Sequence, residues 1–75
     1  MQNASIEFIE RTLDRADSLP DGEIKTALIQ EAVKAADALA QLPWQYYTRH
    51  ELIAATFGSG EADKMLVPLG WCLSR

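Results

Sequence analysis

The first third of the chain alternates apolar and polar positions with a helical period. At about 100° per residue, Ile6, Phe8, Ile9, Thr12, Leu13, Ala16 and Leu19 fall on one arc of roughly 160°. Opposite them stand Glu7, Glu10, Asp14 and Asp17, with Arg11 and Arg15 along one flank. The spacing predicts an amphipathic helix over residues 4–19, in which Glu7 and Arg11 have the favourable i, i+4 order. Asn3 and Ser5 are its candidate caps, because a short side-chain oxygen can accept from an amide of the first turn.

Leu19-Pro20-Asp21-Gly22 then marks a turn, and Asp21 is the candidate N-cap of the next helix. Residues 22–42 alternate differently. Six alanines stand beside Ile24, Leu28, Ile29, Val33 and Leu39, and the polar arc shrinks to Thr26, Gln30, Lys34, Asp37 and Gln41. A helix this apolar must be covered on two sides, so it is expected to be central, flanked by the first helix and by the C-terminal half.

The stretch Leu42 to Leu52 separates these two segments from the rest. Pro43 disfavours helical geometry at Leu42, which predicts a stop there. Thr48 and Glu51 have capping-box spacing, and Tyr47 and Leu52 that of a hydrophobic staple, so a third helix is expected over 49–57. Gly58 is its expected stop. Ser59 is then expected to cap a fourth helix over 60–67, ended or kinked by Pro68, with residues 69–73 as a strand or an extended apolar tail. The resulting expectation is one all-α domain over residues 1–75: two longer antiparallel helices, two short helices and an apolar C-terminal tail.

A chain of 75 residues has a thin core, and chains of this size bury only about 60% of their unfolded surface. Self-association, as a homodimer, or docking on a partner would supplement it. The net charge of −4 is uneven: residues 1–40 hold eight acids against four bases, and residues 41–75 three of each. Such a surface disfavours nucleic acid and anionic membrane and favours a basic partner. Cys72 is alone, the longest apolar run is too short to span a bilayer, and no secretory signal pattern opens the chain, so a cytoplasmic setting is expected.

Catalytic and metal chemistry find no pattern here. His50 has no second histidine or cysteine at ligand spacing, and Phe57-Gly58-Ser59-Gly60-Glu61 lacks the Gly-Lys-Ser/Thr ending of a phosphate loop. The reading is therefore non-enzymatic, with no cofactor and no metal. Residues 47–71, with Ile53, Ala54 and Phe57 in the first helix and a Gly58-Ser59-Gly60 turn, resemble a helix-turn-helix. The would-be recognition helix departs from that pattern, carrying Glu61 and Asp63 against one Lys64. A DNA-binding alternative therefore needs Arg49, Lys64 and Arg75 to converge on one face.

Two groups remain as candidate binding residues. One is the acidic stripe Glu7, Glu10, Asp14 and Asp17, which would orient a basic partner and speed its association. The other is an aromatic anchor, Trp44 or Tyr46, since exposed aromatics supply much of the affinity at protein interfaces. Tyr47 and at least one tryptophan are expected in the core. In size, acidity and lack of a catalytic motif the chain resembles the small inhibitor proteins of phages and mobile elements, anti-CRISPR proteins among them. That resemblance is one of class, carried by no motif, and implies binding that regulates or inhibits another protein.

Overall fold

The computed structural model describes residues 5–74. Three helices, α1 (Ile6–Asp17), α2 (Glu23–Leu39) and α3 (Leu42–Gly58), are followed by a 3₁₀ turn (Ala62–Met65) that runs into α4 (Leu66–Leu73). The domain is all-α, and no strand is present among the described residues. α1 packs on α2, α2 on α3, and α3 on both the 3₁₀ turn and α4; no other helix pair is in contact among the described residues. The result is a slab of 31 × 30 × 17 Å.

Ile9, Leu13 and Ala16 from α1, Ile29, Ala32, Ala35 and Ala36 from α2, and Leu52 and Ala55 from α3 form the core. The buried face of α1 follows the predicted arc, with Thr12 included. Ser5 caps α1 by accepting from the Phe8 amide at 3.1 Å, whereas Asn3 lies outside the described residues. The alanines of α2 let two neighbours approach closely, which explains its central place between α1 and α3.

The first correction concerns the cap of α2. Its N-cap is Gly22, with no side-chain cap bond, and Asp21 instead faces Lys25 at 3.6 Å. Gly22 sits at φ 155°, ψ −173°, a region that essentially only glycine enters without strain.

A larger correction falls on α3, which begins at Leu42 rather than Arg49 and equals α2 in length at 17 residues. Ala40, left-handed at φ 56°, reverses the chain after α2, and Gln41 is extended. Pro43 then lies in the first turn, where its missing amide would have had no intrahelical acceptor. Pro43 therefore opens a helix instead of closing one. Thr48 is fully buried inside this helix, and its hydroxyl donates to the carbonyl of Trp44 at 2.8 Å. Thr56 repeats the device two turns on, at 3.0 Å from the Leu52 carbonyl. The capping box and staple are thus coincidences of spacing.

The end of the chain also differs from expectation. Gly58 closes α3 as predicted, but Ser59 is its C-cap and caps no following helix. Residues 62–65 form the 3₁₀ turn, and the tail read as strand or coil supplies the last turns of α4. Pro68 is buried in the first turn of α4, where a missing amide again costs little. Pro43 and Pro68 play the same role in successive helices.

Candidate functional site

Side chains of α1 and α3 face each other across an open groove of about 740 Å³, lined by Glu10, Leu13, Asp14, Asp17, Pro43, Trp44 and Tyr47. α1 supplies the acidic wall. Positions 10, 14 and 17 repeat at i, i+4, i+7 and cover about 10 Å of helix, so three carboxylates stand in one row. Glu10, Asp14 and Asp17 are exposed, and none of them forms an ion pair among the described residues. Leu13, beneath them, belongs to the core and gives the groove an apolar floor.

α3 supplies the aromatic wall, and its early start is what makes the site. With the helix beginning at Leu42, Pro43, Trp44 and Tyr47 share one flank at i, i+1 and i+4. Trp44 is half-buried and packs against the core. Tyr47 is 51% exposed and meets Trp44 edge to face, with ring centroids 5.7 Å apart and an interplanar angle of 87°. That contact fixes Tyr47 at the rim, so the expectation of a buried Tyr47 is not met. Both tryptophans are half-buried.

Of the six residues singled out as partner-binding, the groove unites Glu10, Asp14, Asp17 and Trp44. Glu7 lies outside it and binds Arg11 at 3.2 Å. Tyr46 points elsewhere, edge-on to Trp71 at 5.2 Å between centroids. Leu13, Pro43 and Tyr47 are the lining residues that sequence reasoning missed. The signal for them was the Pro43-Trp44 pair itself, since a proline in the first helical turn would have put Trp44 and Tyr47 on one face.

The other polar constellations are structural. Arg49 is 8% exposed and forms a two-point pair with Asp37, both contacts at 2.9 Å, while its guanidinium carbon lies 3.9 Å from the centre of the Trp71 ring. Gln45 donates a hydrogen bond from its side-chain amide to the same Asp37 carboxylate at 3.1 Å. Lys64 reaches Glu61 at 2.7 Å, and Glu61 also accepts from Ser59 at 2.7 Å and lies 3.1 Å from the Thr26 hydroxyl. The Lys64 ammonium, then the two hydroxyls, hold the Glu61 carboxyl below its ordinary value.

These pairs bear on the DNA-binding alternative. Arg49 is committed inside the fold, Lys64 is held by Glu61, and Arg75 lies outside the described residues. The expected recognition helix over 60–67 is instead a four-residue 3₁₀ turn running into α4, and α4 carries no charged residue to contact phosphate. No cationic face forms around residues 47–71 among the described residues. No group of three or more potential metal ligands occurs among them either, and no helix is long and apolar enough to cross a membrane. Comparison with known protein families, with curated proteins and with solved structures finds no match.

Proposed function

We propose that this protein is a non-enzymatic binding module that docks a basic segment of another protein in the groove between α1 and α3, and thereby regulates or inhibits that protein. The observation that carries the reading is the pairing of two walls: three carboxylates without an ion-pair partner among the described residues face a Trp44–Tyr47 pair across one groove. A lysine or arginine entering there meets a carboxylate on one side and an aromatic face on the other. Cation–π contact adds about 0.5–1 kcal/mol at an exposed site, and the carboxylate row steers the approach. The apolar floor at Leu13 and Trp44 accepts an aliphatic neighbour of the basic residue, which supplies the affinity that exposed charge alone does not. An inhibitor of this kind works by occupying a basic surface that its target needs for another ligand.

The test is affinity capture from the native cell extract with wild-type bait and with a Glu10→Lys/Asp14→Lys bait. Both positions are exposed, so thermal stability should stay within about 0.5 kcal/mol of wild type. A partner retained by the wild type and released by the double variant supports the groove. Equal retention by both baits removes it.

A further inference from the structure

A second surface lies on the other flank of α3. His50, Ile53, Ala54 and Phe57 face Met65 and Leu69 across a groove of about 520 Å³. Beside it α4 presents a ridge. At 100° per residue Leu69, Leu73, Leu66, Gly70 and Val67 follow one another around the helix, and Leu66, Val67 and Leu73 are 65, 82 and 78% exposed. Phe57, 74% exposed, closes the patch on the α3 side. No charged residue occurs anywhere in α4.

We infer that this face is the interface of a homodimer related by a two-fold axis. Three observations select a second copy as the occupant. The first is area: Phe57, Leu66, Val67 and Leu73 are 65–82% exposed and stand beside the apolar groove, more than the singly scattered apolar side chains that are normal on a monomer. Covering such a patch on two copies is on the scale of the smallest stable specific interfaces, about 1,200 Å² in total. The second is shape: ridge and groove lie side by side on one copy, so a two-fold operation seats each ridge in the partner's groove, as an isologous contact requires.

The third is charge. Each copy carries −4, and the row Glu10, Asp14 and Asp17 stands on α1, away from this patch. Two such molecules repel through their acidic faces and can meet through a face that holds no acid. A face without charge also lacks the means to select a basic partner, which the other groove has. On α3 the acidic groove uses Pro43, Trp44 and Tyr47 near the start of the helix and the apolar one His50 to Phe57 in its second half, centred roughly 75° further round at 100° per residue. The acidic wall itself stands on α1, so dimerisation leaves both acidic grooves open. The dimer would be bivalent toward any partner that repeats its basic segment.

Sedimentation equilibrium from about 1 µM to about 1 mM brackets the affinity expected of an interface this small. Wild type should pass from the 8.3 kDa chain mass to twice that value across the range. Val67→Glu and Leu73→Glu, each at an exposed position, should raise the dissociation constant at least tenfold while far-UV circular dichroism keeps the helix content unchanged. Glu10→Lys/Asp14→Lys should leave the dimer intact. A wild type that remains monomeric throughout overturns the inference, as does a dimer that survives both α4 variants; neither result touches the reading of the acidic groove.

Discussion

Arg49 and Asp37 meet through two parallel contacts, Nη1 to Oδ1 and Nη2 to Oδ2, each 2.9 Å long. The pair joins α3 to α2, and Trp71 of α4 covers the guanidinium. A single arginine thus ties three helices, and it does so with its side chain 10% exposed against 43% for Asp37. Removing the carboxylate would leave a nearly buried cation facing the Gln45 carbonyl and the Trp71 ring without its anion.

Asp37→Ala should therefore destabilise by about 2 kcal/mol, between the value of a surface pair and that of a fully buried one. In a domain this size that lowers the thermal midpoint by roughly 10 °C. Adding Arg49→Met, which keeps an aliphatic stem against Trp71 without the charge, should restore part of the loss. A double variant no better than the single one would mean that Arg49 contributes through packing rather than through its charge.

Thr48 distinguishes a helix interior from a helix start. At an N-cap aspartate serves as well as threonine; at a fully buried interior position it brings an unpaired charge into the core. Thr48→Asp should accordingly cost more than about 3 kcal/mol or abolish folding. Thr48→Val, which keeps the shape and loses one hydroxyl bond, should cost less than about 1.5 kcal/mol. Urea titration of both variants reads the difference, and a harmless Thr48→Asp would restore the cap.

Ala40 ends α2 in the left-handed region at φ 56°, with its amide donating to the Ala36 and Asp37 carbonyls. A Cβ is unfavourable there and the backbone bonds do not need it. Ala40→Gly should stabilise by about 0.5–1 kcal/mol, visible as a higher thermal midpoint. An unchanged or lower midpoint would show that the α2–α3 connection is not held in this geometry.

Glu61 sets a pH dependence with a definite sign. Its carboxyl is held below its ordinary 4.5 by Lys64, Ser59 and Thr26, so its contribution is present above pH 4.5 and lost as pH falls through the lower folded value. Lys64 is raised above its ordinary 10.5 by the same partner, so its contribution is full below that value and fades in stronger alkali. Thermal midpoints followed from neutral pH down through 4.5 should fall more steeply for wild type than for Glu61→Gln. Parallel curves would remove Glu61 from the acid transition.

The parts of the fold legible in the sequence are those decided by burial period. The arc Ile9, Thr12, Leu13 and Ala16 and the central place of the alanine-rich helix follow from which residues must avoid water. The start of α3 was not legible, because two local signals competed. Pro43 fits both the end of one helix and the first turn of the next, and Thr48 with Glu51 supplied a plausible later start. The full burial of Thr48 in the folded domain decides between them, and that is a tertiary fact. The same misplaced start hides half of the groove: the sequence shows the acidic wall on α1, while a helix starting at Arg49 leaves Tyr47 outside it and off the face of Trp44. In α4, an eight-residue run broken by Pro68 and Gly70 carries too little period for any local rule, and its helix depends on packing against α3.

The stacking of α1 on α2, α2 on α3 and α3 on α4 makes the fold a short linear array, in which each unit is stabilised by its neighbours in sequence. Opening α4 or α1 breaks one helix–helix interface, whereas opening α2 breaks two. Amide hydrogens should therefore exchange in graded order, the end helices ahead of the middle pair. The helix-to-helix contacts join segments adjacent in the chain, so loop closure is inexpensive and folding should fall in the microsecond-to-millisecond range of helical domains with local contacts.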